Sequence, residues 1–231
     1  MIALITPTGG RPKQIELCSK FMKRQDYEGK VLWVIVDDVM PVSTDNIARD
    51  GWEVIKLFPK PSWKKGQNTQ SRNLLVGIEE VKKYDIEVIF IIEDDDYYCP
   101  QYLSTMMEKI KDYDVAGQMY TIYYNPVCRG WIRNGNWKHA SLFQVAFTPE
   151  VLPIFKQTCK IGRGYIDMNF FRQVIKRKVN LFNGKDLAIG IKGLPGRAGI
   201  GMGHRMELKM NPDPDFESLK ILIGDDYMYY L

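Results

Sequence analysis

Apolar residues along this chain cluster in two ways. Ile2 to Thr6, Val31-Leu32-Trp33-Val34-Ile35-Val36 and Val88-Ile89-Phe90-Ile91-Ile92 are apolar almost without interruption. Runs this short, rich in β-branched and aromatic residues, predict strands buried on both faces of a parallel sheet. Trp52 to Leu57 predicts a further strand. Between the strands the spacing becomes helical. Pro12 opens a helix whose apolar face is Ile15, Leu17, Phe21 and Met22, running to about Arg24. Leu74, Leu75, Ile78 and Val81 predict a helix over 69–83, and Leu103, Met106, Met107 and Ile110 predict one opened by Pro100. The order β-α-β-β-α-β-α predicts an α/β three-layer sandwich with a mostly parallel central sheet.

The second half is less regular. Val115 to Tyr124 and Ser141 to Phe147 predict strands, with a loop over 125–138 between them. Pro149 to Gln157 predicts a short helix, Ile166 to Lys178 a longer one, and Phe216 to Leu222 a last one. Ile189 to Gly203 is glycine-rich and predicts a flexible loop. No repeat, low-complexity segment or linker interrupts the chain, so residues 1–231 are expected to form a single domain with a C-terminal tail from 211.

Composition narrows the class without naming a function. The 231 residues are 45% hydrophobic and 26% charged, ordinary for a globular protein. A net charge of +4 fits an anionic substrate or a weak nucleic-acid contact, and neutral-ligand enzymes share it. Cys18, Cys99, Cys128 and Cys159 form no C-x-x-C pair, which argues against zinc or a disulfide framework and for a reducing compartment. Met1 to Pro7 lacks the basic region and apolar length of a signal peptide, and no apolar run reaches membrane-spanning length. The expectation is a cytoplasmic protein without a membrane span.

The chemistry concentrates where the strands end. Glu93-Asp94-Asp95-Asp96 follows the third apolar run directly. In an open α/β sheet, ligands bind at the carboxyl edge. Carboxylates packed this closely repel unless a cation offsets them, and a hard divalent ion holding a phosphate would do so; a solvated acidic turn is the alternative. The first strand ends in Thr6-Pro7-Thr8-Gly9-Gly10-Arg11, which can bring backbone amides and a cation to a nucleotide. The second ends in Asp37-Asp38, which can accept hydrogen bonds from a base or ribose or can be a solvated strand end. Trp131, Trp137, Arg129, Arg133 and Lys138 mix aromatics with cations, suiting sugar or base stacking or simply a packed, solvated loop.

Thr6-Pro7-Thr8, the strand end Val34 to Asp38, Gly66-Gln67-Asn68 through Ser71-Arg72-Asn73, and Ile91 to Asp96 followed by Pro100 together resemble nucleotide-sugar glycosyltransferases of the GT-A fold. The resemblance is strongest to the large inverting, family 2-like group, good over the first half and looser over the second. It implies a Rossmann-like nucleotide-sugar-binding half over 1–115 and an acceptor and catalytic half over 116–210. It implies a metal-dependent hexosyltransferase that moves a sugar from a nucleoside-diphosphate sugar, expected to be a UDP-sugar, to an acceptor hydroxyl with inversion. Thr6, Pro7, Thr8, Arg11, Asp37, Asp38, Gln67, Arg72, Asp94 and Asp95 would bind the donor. A DXD-type triplet would hold Mn²⁺ or Mg²⁺ through Asp94 and Asp96, with His204 as a further ligand that favours Mn²⁺. Asp167, after Gly162-Arg163-Gly164, would be the catalytic base; a carboxylate in the first turn of a helix is the plainer reading. The acceptor could be a glycan, a lipid carrier, a protein or a modified DNA base. A nucleotidyltransferase on a related fold and a non-catalytic sugar- or nucleic-acid-binding module are the competing readings.

Overall fold

A computed structural model describes residues 1–42, 47–65, 67, 69–161, 165–184, 186–196, 202–205 and 209–231. The elements in chain order are β1 Ile2–Thr8, α1 Pro12–Lys23, β2 Val31–Asp37, β3 Glu53–Leu57, α2 Gln70–Val81, β4 Val88–Ile91, β5 Tyr97–Tyr98 and α3 Tyr102–Ile110. The second half holds β6 Val115–Gln118, β7 Tyr120–Asn125, β8 Gly130–Gly135, β9 Val145–Phe147, α4 Leu152–Ile161, α5 Ile166–Gln173, β10 Val179–Phe182, β11 Ala188–Ile191, β12 Asn211–Pro212 and α6 Glu217–Ile223. Short 3-10 turns at Leu142–Gln144, Pro149–Val151 and Gly224–Tyr230 complete the path.

The main sheet has seven strands in the order β10-β6-β9-β4-β1-β2-β3. The pairs β1–β2, β1–β4, β2–β3 and β6–β10 are parallel, and only β9 runs antiparallel, between β4 and β6. The mostly parallel α/β sheet expected from the apolar runs is therefore present. Its strands alternate sides at every residue. Ile2, Leu4, Trp33, Ile35, Phe90 and Ile92 join α1 and α3 in one apolar cluster. Ala3, Ile5, Leu32, Val34, Ile89 and Ile91 join α2, α4 and α5 in another. Both faces are covered, which is why these runs carry almost no polar residue. Helix α2 packs close: a Cβ at Gly77 would lie 2.6 Å from Ile5 Cγ2.

The second half departs from the pattern reading in specific places. Val115 to Tyr124 is two strands in two sheets, broken at Met119, whose amide donates to the Phe182 carbonyl at 2.9 Å. The middle of the expected 125–138 loop is β8, the antiparallel partner of β7. Its sequence Gly-Trp-Ile-Arg-Asn-Gly does not alternate, because β8 lies outside the main core. The glycine-rich stretch begins inside β11, a buried strand paired with β7 and β5. Strands β12-β8-β7-β11-β5 form a second sheet of five. Helix α5 stops at Gln173 rather than reaching Lys178, because the chain turns there into β10. Ser141 to Phe147 divides into a 3-10 turn and β9, and the Pro149 helix continues to Ile161. The four cysteines are unpaired. Among the described residues no helix is long and apolar enough to cross a membrane.

Phe147, Phe155 and Phe170 tie β9, α4 and α5 together, with ring centroids 4.8, 5.5 and 5.1 Å apart. Phe170 is fully buried. Phe170→Ala is expected to lower stability by about 3–5 kcal/mol, measured by urea unfolding, because the rings around the cavity cannot collapse into it.

Candidate functional site

The carboxyl ends of β1, β2 and β4 lie side by side, because the three strands are parallel neighbours. The acidic loop opens directly beyond β4. Its turn is set by the backbone: the Asp96 amide donates to the Glu93 carbonyl at 3.4 Å, and the Glu93 amide donates to the Tyr98 hydroxyl at 2.8 Å. Strand β5 then pairs with β11, which carries Ile191 and Lys192 over the loop.

Each acid has its own partners. Asp94 accepts from Thr8 Oγ1 at 2.6 Å and from Arg11 Nε at 3.1 Å, and Arg11 Nη2 donates to its other oxygen. Asp95 accepts from Arg11 Nη1 at 3.0 Å. Asp96 Oδ1 accepts from the Ile191 amide at 2.9 Å and from Lys192 Nζ at 2.7 Å. Glu93 accepts from Gln70 Nε2 at 2.7 Å and lies 3.8 Å from Lys192 Nζ. Burial pushes the Asp96 carboxyl well above its usual range, against the pull of Lys192, and raises Glu93. Burial also pushes Asp94 up to about 7, partly offset by Arg11. At Asp95 the charges of Lys192 and Arg11 outweigh burial and lower the carboxyl. Burial works against the Lys192 ammonium, but Asp96, Asp95 and Glu93 more than offset it and keep it charged.

One carboxylate oxygen each from Glu93, Asp95 and Asp96 lies within 4.8 Å of the others, a grouping that fits one hard divalent cation. Asp96 Oδ2 is buried and has no hydrogen-bond partner, which leaves a free ligand atom in that group. Asp94 is not a member: Thr8 and Arg11 take both its oxygens. His204 lies outside the group as well. Its Nδ1 is buried without a partner, and burial, followed by the charge of Lys192, brings its pKa down to about 4. The imidazole is therefore neutral at neutral pH and can act as a ligand.

The other expected residues lie as follows. Thr6 and Pro7 are inside β1, where Thr6 Oγ1 accepts from Trp33 Nε1 at 2.9 Å. Asp37 accepts from the amides of Gly10, Val39 and Met40 at 2.8 to 3.1 Å and so ties the turn after β1 to the turn after β2. Asp38 is buried 3.8 Å from Arg72 Nη2, and Arg72 Nη1 donates to the Pro61 carbonyl at 2.8 Å. Gln67 accepts from the Lys64 amide at 3.0 Å within its own loop. Gly66, Asn68, Gly162 to Gly164 and Gly201 lie outside the described residues. Asp167 sits in the first turn of α5, where its Oδ1 accepts from the Met168 amide at 2.8 Å. Burial raises its carboxyl, and its charge bears on Glu93 and Tyr123 across the site.

Asn73, expected from the Ser71-Arg72-Asn73 segment to steady its loop, donates Nδ2 to the Thr8 carbonyl at 3.0 Å. Sequence reasoning missed Lys192 and Gln70. The signal for Lys192 was present: Ala188 to Ile191 is a short apolar run ending in a charge, like β4. The surrounding glycines masked it.

No protein-family model matches the chain, and no curated protein sequence matches it. Solved structures do. S. aureus TarS 1-349 in complex with UDP-GlcNAc superposes with a TM-score of 0.57 and 16% identity over 89% of this chain and 61% of that one. TarS 1-349 in complex with UDP gives 0.56 and 14% over 82% and 60%. A longer TarS structure gives 0.55 and 15% over 82% of this chain but 36% of that one. The chain thus spans less than two thirds of those proteins, and at this identity the likeness establishes a shared GT-A-type fold.

The depressed His204 pKa carries a stability consequence. The unfolded imidazole takes up a proton near its ordinary value while the folded one stays neutral to about 4. Protons on His204 therefore favour the unfolded state in that window, so this residue's contribution to stability falls as pH drops from about 6.5 toward 4, opposite in sign to that of the raised Asp94 carboxyl. Relative to the native chain, His204→Gln is expected to gain stability as pH is lowered through this window, measured by denaturation at a series of pH values with chelator present.

Proposed function

We propose that this chain is a glycosyltransferase that transfers a sugar from a nucleoside-diphosphate sugar, with UDP-sugars the favoured class, to an acceptor hydroxyl. The observation that carries the reading is the grouping of Glu93, Asp95 and Asp96 at the carboxyl edge of a GT-A-type sheet, with the half-buried Asp167 near enough for its charge to act on Glu93. The fold likeness to TarS structures holding UDP and UDP-GlcNAc supports the donor class.

Glu93, Asp95 and Asp96 would hold Mn²⁺ or Mg²⁺, with His204 adjacent. When bound, the ion supplies positive charge to the diphosphate as it leaves. Asp38 and Arg72 lie beyond β2 and would meet the nucleoside. Arg11 keeps Asp94 and Asp95 oriented, and Asn73 holds the end of β1 in register. Asp167 takes the proton of the acceptor hydroxyl. The hydroxyl oxygen then bonds to the anomeric carbon as the bond from that carbon to the diphosphate breaks. The nucleoside diphosphate departs with the bonding electron pair, and the anomeric configuration inverts. The raised Asp167 pKa makes the carboxylate a better proton acceptor than a solvated aspartate.

The test is a panel of nucleotide sugars with Mn²⁺ or with chelator. A UDP-sugar is expected to raise the melting temperature and to be hydrolysed slowly only with the ion present. Undiminished turnover in chelator would remove the metal from the reading. A preference for nucleoside triphosphates with pyrophosphate release would instead point to nucleotidyl transfer. Asp167→Asn is expected to lower turnover by about 10²–10⁴-fold while UDP binding persists. Full activity in that variant excludes Asp167 as the base.

A further inference from the structure

A cation already stands inside the grouped carboxylates. Lys192 Nζ lies 2.7 Å from Asp96 Oδ1 and 3.8 Å from Glu93 Oε2, and its side chain is 7% exposed. Its stem is closely held. A Cβ at Gly190 would come 3.3 Å from Lys192 Cε, and one at Gly203 would come 3.2 Å from Lys192 Cγ. The ammonium also lies 5.3 Å from the Phe143 ring centroid. On one side of Lys192 is β11, and on the other the chain is fastened to α1, where Gln14 Nε2 donates to the Pro195 carbonyl at 2.7 Å. Lys192 is thus a cation on a tether anchored at both ends.

The charge balance shows what this tether does. Glu93, Asp94, Asp95 and Asp96 carry four negative charges when ionised, and Arg11 and Lys192 return two. The remaining deficit of two matches one divalent ion. Arg11 sits over Asp94 and Asp95, whereas Lys192 sits on Asp96 and beside Glu93, two of the three carboxylates that would ligate it. Two cations on the same carboxylates repel strongly where water is excluded.

We propose that Lys192 is a tethered competitor of the divalent ion: its ammonium holds the acidic loop together without metal, and metal binding displaces it from Asp96. This inference rests on the metal reading above. Removing the ammonium should therefore tighten metal binding, although it removes a stabilising partner from the metal-free protein.

The test is Mn²⁺ titration of metal-free protein, followed by electron paramagnetic resonance, for the native chain, Lys192→Met and Lys192→Arg. Lys192→Met is expected to bind Mn²⁺ roughly tenfold tighter or more, the scale of one nearby unit charge, and Lys192→Arg to stay close to native. Native binding without tightening in Lys192→Met overturns the competitor role and leaves the metal reading standing. No Mn²⁺ binding in any of the three overturns both. Should Lys192→Met fail to fold, the native protein still decides. Labelling of Lys192 by an amine-reactive reagent, read by mass spectrometry, is expected to rise several-fold with saturating Mn²⁺; unchanged labelling overturns the proposal.

Discussion

Four successive carboxylates at the end of a buried strand must be kept out of bulk water without repelling one another apart. That constraint organises the rest of the site. Burial alone drives Glu93, Asp94 and Asp96 toward the protonated form, and the fold answers with cations from two distant places in the chain. Arg11 comes from the loop after β1, and Lys192 from the residue after β11. Each stands against different acids, so the loop is divided: Asp94 is tied to Thr8 and Arg11, while Asp96 is tied to Lys192 and the Ile191 amide. Losing either cation would leave buried charge uncompensated, a larger penalty than the loss of an exposed pair.

The division also separates the acids by their partners. Asp94 has both oxygens engaged, by Thr8 and Arg11. Glu93, Asp95 and Asp96 retain coordination capacity, and Asp96 Oδ2 has no partner of its own. The second sheet forms one side of this arrangement. By pairing β11 with both β7 and β5 it brings Lys192 over the acids and sets Tyr123 beside the ammonium, 6.0 Å from its ring centroid. The aromatic packing of Phe147, Phe155 and Phe170 does the corresponding work on the other side, fixing the helix that carries Asp167.

Much of the first half was legible because its physics is local. Strands buried on both faces must be apolar throughout, and helices lying on them must show the helical period, so β1, β2, β4, α1, α2 and α3 declare themselves within a few residues. Strand β8 did not, because a hairpin at the margin of the core has no face that needs a continuous apolar side. Strand β11 did not, because its one glycine, Gly190, lies against Tyr123 and Lys192 rather than in a turn. The break at Met119 was invisible because it is a one-residue bend at which the chain changes sheet, with no glycine or proline at the bend to mark it.

The sequence by itself determined that acids would stand at the carboxyl edge of a parallel sheet beside the ends of its neighbours, since strand order and apolar runs follow from residue type and spacing. Only the tertiary structure decided which of those acids stand together. Adjacent residues in a tight turn point in different directions, and their partners, Arg11 and Lys192, lie 83 and 96 residues from the acids they hold. Charge pairing over such distances depends on where the sheet folds the chain back, and no local pattern records it.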